Sequence, residues 1–161
     1  MQSLKTAMMT SISEVLETMF FMSLDFDIHA TLENSDIMHN DLSMACRLNF
    51  TGPFSGCLLI IVPKDLLAHM TESFMGLEQD KITAQHREGT IKELANMIAG
   101  NTFSTLNNQI EFKLAIPELI DTRTVSDQYL PTKERDVEII TETTGGLWGA
   151  KIILNDVHPN D

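Results

Sequence analysis

Glu93 and Asn96 are the two side chains in this sequence whose types and spacing best suit chemistry. They stand in Glu93-Leu94-Ala95-Asn96-Met97-Ile98-Ala99-Gly100-Asn101, inside a stretch that reads as one long helix from Ile82 to Gln109. At about 100° per residue, a carboxylate and an amide three residues apart share one edge of a helix. A carboxylate can pair with a cation or take a proton, and an amide can both donate to a water molecule and accept from one. Gly89 and Gly100 fall beside them, while Ile91, Leu94, Ala95, Ile98, Thr102 and Leu106 gather on the opposite side as the core face. A glycine inside a helix costs about 1 kcal/mol relative to alanine, so two on one polar stripe imply a compensating use. The simplest use is clearance for another surface.

Other chemistries find little support. The histidines, at 29, 39, 69, 86 and 158, show no His-x₃-His spacing, and the cysteines show no Cys-x₂-Cys, so no metal cluster is expected. No Ser-His-Asp arrangement, phosphate loop or dinucleotide fingerprint is present. Asp25 and Asp27 flank Phe26 across a strand period and read as a solvated edge. Cys46 and Cys57 each lie in an apolar strand-like run, as expected of buried thiols in an intracellular protein. Eleven Lys and Arg against 23 Asp and Glu give a net charge of −12, which argues against nucleic acid and anionic membranes as partners and favours a protein with a basic face. The N-terminal residues lack the layout of a signal peptide, and no run approaches the roughly 20 apolar residues of a membrane span. A cytoplasmic location without membrane insertion is the expectation.

The elements that must position the pair follow from periodicity. Residues 3–24 have helical spacing, with Met8, Ile12, Val15, Met19 and Met22 on one face and Met9, Leu16 and Phe20 drifting toward the outer side, where a helix or subunit contact could form. Phe26, Ile28, Ala30 and Leu32 alternate as a strand, and Glu33–Asp41 reads as a loop. Met44, Cys46, Leu48 and Phe50, the turn Thr51-Gly52-Pro53 and the apolar run Gly56–Val62 form a hairpin whose second strand is buried on both faces. Pro63 opens a short helix that runs through Met75 to Gly76. After the long helix, Phe112, Leu114 and Ile116 alternate until Pro117, and Thr122–Lys133 reads as a polar loop. Val137, Ile139 and Thr141 pair across Gly145-Gly146 with Trp148, Ala150, Ile152 and Leu154, and the residues from His158 on are expected to fray.

The halves match in order. Thr51-Gly52-Pro53-Phe54-Ser55-Gly56 lines up with Thr144-Gly145-Gly146-Leu147-Trp148-Gly149, and aligning the long helices sets Glu17 against Glu93 and Phe20 against Asn96. An internal duplication of an α-β-β-β unit accounts for both. The expected fold is a two-layer α/β domain over residues 1–161: six strands, covered on one face by two long helices, with one short connecting helix.

The stretch Glu93–Asn101 resembles the signature helix of the CheC/CheX/FliY chemotaxis phosphatases, and the chain resembles the CheX branch in size and duplicated layout. The family pattern sets an Asp or Ser four residues before the Glu, an Asn three residues after it, and a proline farther on. Glu93 and Asn96 match, Gly89 takes the Asp/Ser position, and Pro117 is the candidate proline. On the first helix Ser13 and Glu17 match but Phe20 replaces the Asn, which implies one working site per chain. The resemblance implies removal of phosphate from a phosphorylated CheY-type response regulator. In that reading Glu93 anchors the regulator's lysine, Asn96 positions the attacking water, and Gly89 and Gly100 contact the partner. Mg²⁺ is then expected on the regulator, with no cofactor on this chain. It also implies a homodimer. The rival reading is a regulator-docking or flagellar-switch-like module without useful catalysis, which Gly89 favours.

Overall fold

In a computed structural model, residues 2–38 and 42–156 are described; the tail from His158 lies outside them. The sheet is built around the apolar hairpin of β2 (Ser43–Thr51) and β3 (Gly56–Pro63). β3 is buried along nearly its whole length because both of its faces meet side chains. Leu58, Ile60 and Val62 point to one core, and Cys57, Leu59 and Ile61 to another. The second hairpin, β6 (Val137–Thr143) and β7 (Gly146–Leu154), docks antiparallel on it, with Gly56 opposite Leu154 and Ile61 opposite Gly149. β1 (Leu24–Phe26) extends the β6 edge. β4 (Lys113–Leu114) and β5 (Glu118–Ile120) both pair with β2. The order is β1-β6-β7-β3-β2-β4, with β5 also on β2. Exchanging β1 with β4, β2 with β6 and β3 with β7 returns the same order read from the other end.

Among the described residues four α-helices flank this sheet: α1 (Gln2–Met19), α2 (Lys64–Met75), α3 (Ala84–Leu106) and α4 (Thr122–Gln128). α1 and α3 run antiparallel across one face. The Ser11 hydroxyl donates to the Ile98 carbonyl at 3.0 Å, and the first turns of α1 meet Thr105 and Leu106 at the end of α3. α2 stops at Gly76, whose φ of 65° suits a residue without a Cβ, and the Gly76 N–H returns to the Glu72 carbonyl.

Several expectations need correction. Among the described residues the sheet has seven strands, because Pro117 cannot donate to the ladder and splits the segment along β2 into β4 and β5. The face away from α1 and α3 is also covered. Leu32 and Ile37 from the β1–β2 connection, with Val125 of α4, pack on Ala45, Cys57, Leu59, Ile61 and Ile140. The strand therefore ends at Phe26, and the alternation through Ile28, Ala30 and Leu32 does not continue it. Asp27 accepts from the N–H groups of His29 and Ala30, turning the chain off the sheet edge so that Leu32 tucks beneath it. Thr122–Gln128 is a helix, with the Asp121 carboxylate capping the Arg123 N–H.

The first helix ends at Met19, short of the expected residue 24. Phe20 turns into the core and stacks on Phe74 of α2 at 5.3 Å, and the chain reverses at Phe21, which takes a φ of 54°. Leu16 and Phe20 are thus core residues, with no surface to offer another subunit.

Candidate functional site

The site helix is held at both ends by its own sequence. Thr83 and His86 form a reciprocal cap: the Thr83 hydroxyl accepts from the His86 N–H, and the His86 ring accepts from the Thr83 N–H, both at 3.1 Å. At the far end the Asn107 N–H returns to Phe103. Between the caps, Thr90, Ile91, Leu94, Ala95, Ile98, Ala99, Thr102 and Phe103 are buried. Rotation by about 100° per residue then leaves Gly89, Glu93, Asn96 and Gly100 along one outward stripe. Gly89 and Glu93 are exposed, and Asn96 and Gly100 are half-buried.

Two properties of this stripe bear on its use. First, the side chains of Glu93 and Asn96 make no hydrogen bond or ion pair with any other described residue. The neighbouring lysine is already committed. Lys92 donates to Glu88 at 2.9 Å, which holds its ammonium above the usual range and leaves Glu93 without a cation of its own. Second, a methyl group added at Gly89 or Gly100 would meet nothing within 4 Å. Internal packing therefore does not require either glycine, although each weakens the helix by about 1 kcal/mol.

The corresponding stretch of α1 offers much less. Glu17 is exposed and Ser13 half-buried, but Phe20 sits beyond the helix end, fully buried against Phe74. An amide there could not reach solvent. Pro117 is buried in the break between β4 and β5.

Cys46 and Cys57 are free thiols on opposite faces of the sheet, each pushed up to about 11 by burial, so neither is a nucleophile at neutral pH. Among the described residues no three His, Cys, Asp or Glu side chains gather as metal ligands, and no helix is long and apolar enough to cross a membrane.

Sequence reasoning overlooked a polar row on the sheet face away from α1 and α3. Arg47 reaches Glu118 at 2.6 Å and the Tyr129 hydroxyl at 3.1 Å. Lys151, fully buried on β7, donates to the carbonyls of Tyr129 and Pro131 and to the Thr132 hydroxyl, with the Asp136 and Glu138 carboxylates at 4.0 and 3.8 Å. The visible signal was a lysine between Ala150 and Ile152 in an otherwise apolar strand.

A sequence profile described as "Chemotaxis phosphatase CheX" matches residues 44–139, more than half of the chain and including the whole of α3. The chain belongs to the CheX family. Solved structures agree in fold. A chemotaxis protein CheX from Desulfovibrio desulfuricans superposes with a TM-score of 0.70 at 18% identity, covering 94% of this chain and 99% of that one. A CheC-like superfamily protein from a Shewanella species gives 0.71 at 19% identity, over 96% and 98%. A Borrelia burgdorferi CheX, solved as a CheX–CheY–BeF3–Mg2+ complex, gives 0.68 at 15% identity, over 94% and 97%. No curated protein sequence matches the chain significantly. Within the CheX family chain, the stripe on α3 remains the feature with no internal explanation.

Proposed function

We propose that this chain hydrolyses the aspartyl phosphate of a CheY-type response regulator, with Glu93 and Asn96 as the functional pair. The observation that carries this reading is the α3 stripe in a CheX-family chain: an unpaired carboxylate and amide, flanked by two glycines that internal packing does not need. An aspartyl phosphate is already a reactive acyl phosphate, so positioning supplies most of what is needed. Asn96 holds a water in line with the phosphorus. The water oxygen bonds to phosphorus as the P–O bond to the aspartyl group breaks. The water's proton leaves with the phosphate, and the regulator's carboxylate is restored. Glu93 pairs with the regulator's lysine, and the regulator brings its own Mg²⁺, as the composition of the Borrelia complex suggests by analogy. Gly89 and Gly100 let the regulator's surface lie against the helix.

The domain takes in residues 1–161, works in the cytoplasm and pairs as a homodimer. It arose by duplication of an α-β-β-β unit, a reading supported by a strand order that is the same from both ends. Only the second half keeps the amide.

The test is the decay of a phosphorylated cognate regulator with and without this protein. Acceleration supports the reading, and an unchanged phosphate lifetime sinks it. Glu93→Lys is expected to weaken regulator binding at least tenfold by setting two cations against each other, read by titration against the BeF3⁻-loaded regulator. The rival reading, a docking or flagellar-switch-like module, is favoured by Gly89, which supplies no side chain where the family pattern has Asp or Ser. It requires binding with no change in phosphate lifetime. Gly89→Ala separates a structural from a functional glycine. Unfolding should show a gain of about 0.5–1 kcal/mol, while kcat/KM should fall.

A further inference from the structure

The α3 stripe runs on into a cup. Gly100 and Phe103 line one wall of an open cavity of about 240 Å³ and Ile110, Phe112 and Leu114 another, with the exposed polar side chains of Asn107, Asn108 and Glu111 completing its lining. Phe103 and Phe112 stack at 4.3 Å, and Phe50 and Phe54 back them: Phe50 lies 4.6 Å from Phe103, and Phe54 lies 5.0 Å from Phe112. Four interlocked rings make an apolar wall that cannot easily collapse. At the rim, Ile110 and Leu114 are 40% and 37% exposed. The cavity is smaller than the roughly 300–1,000 Å³ of small-molecule sites, so its size suits one large side chain rather than a cofactor.

We infer that this cup receives a single apolar side chain, aromatic or branched aliphatic, from the response regulator docked over Glu93 and Asn96. The inference rests on the proposed function and adds a specificity pocket to it. Its occupant follows from position. Gly100 stands about 6 Å along the helix axis from Asn96 and about 10 Å from Glu93, on the same side. A standard interface covers about 800 Å² per partner, a patch roughly 30 Å across. A protein centred on Glu93 and Asn96 therefore covers the cup. An anchor side chain set against an aromatic wall, with polar groups around it, is also how binding energy is commonly concentrated. Gly100 then has a specific purpose, since any side chain there would stand at the mouth.

The experiment measures affinity of the BeF3⁻- and Mg²⁺-loaded regulator for wild type, Gly100→Ala and Gly100→Leu, together with turnover of the phosphorylated regulator and thermal melting. Gly100→Leu should weaken binding at least tenfold and raise KM to match, with kcat nearly unchanged. Gly100→Ala should weaken binding several-fold while melting no lower than wild type, which removes misfolding as the cause. Wild-type affinity in both variants overturns the pocket and the clearance assigned to Gly100, while leaving the phosphatase reading on Glu93 and Asn96 intact. Failure of wild type itself to bind the regulator overturns both. If Gly100→Leu shifts only the monomer–dimer equilibrium in sedimentation and not regulator affinity, the cup belongs to a second copy of the chain and the inference falls.

Discussion

Replacing Asn96 with alanine is expected to slow dephosphorylation of the regulator by about 100-fold at saturation, with its affinity changed by less than about threefold. The size follows from the task assigned to the amide. A misplaced reactant costs on the order of 100-fold even when all other groups remain. The split follows from where the energy is spent. An amide that binds the water only as it approaches phosphorus contributes to the transition state and not to docking, so kcat and kcat/KM fall together. Glu93→Lys should give the opposite pattern, with the loss in binding. Single-turnover decay of the phosphorylated regulator at saturating protein measures the first, and titration against the BeF3⁻-loaded form measures the second. Full activity in Asn96→Ala would remove the catalytic assignment. Since Asn96 is half-buried at the surface and unbonded, its loss should leave the melting temperature within a few degrees, and a large drop would point to folding instead.

Much of this site was legible because helical periodicity is local. The helix expected over Ile82–Gln109 is found at Ala84–Leu106, and every residue assigned to its core face is buried except Leu106, which is half-buried. The β2–β3 hairpin and α2 with its Gly76 stop were readable for the same reason. What failed depended on contacts distant in sequence. Ala30 and Leu32 alternate as a strand would, but Leu32 is buried and Ala30 half-buried from beneath the sheet after Asp27 turns the chain away. Phe20 continues a helical stripe by spacing, yet it leaves the helix to meet Phe74. In the aligned hairpins, Thr51 closes a strand while Thr144 lies in the shorter turn between β6 and β7. The cup beside Gly100 was invisible for a related reason: Phe112 comes after the helix has ended, and only the fold brings it against Phe103.

Replacing Lys151 with methionine is expected to destabilise the fold by about 3–5 kcal/mol, the range for removing one partner of a buried charged network. The side chain is 0% exposed, and the facing Asp136 and Glu138 side chains are 3% and 7% exposed. Burial lowers the Lys151 ammonium below its usual range despite two carboxylates nearby, and raises Glu138 despite the lysine. Desolvation thus outweighs attraction for both groups, so the pair is not a source of net stability in itself. Its strength is geometric. One ammonium gathers the Tyr129 and Pro131 carbonyls and the Thr132 hydroxyl, while the Tyr129 hydroxyl accepts from Arg47, itself bound to Glu118 on β5. Together these contacts strap the segment after α4 across the sheet, over the second apolar core. Methionine fills similar space but leaves those carbonyls and both carboxylates without their cation. Urea unfolding should show the loss, and Lys151→Met combined with Glu138→Leu should recover part of it by removing one stranded charge. A single variant as stable as wild type would mean that water reaches this network. If the double variant were no better than the single, the loss would lie with the orphaned carbonyls rather than with Glu138. The strap is on the face opposite α3, so dephosphorylation per folded molecule should be unchanged, separating what holds the sheet together from what acts on the partner.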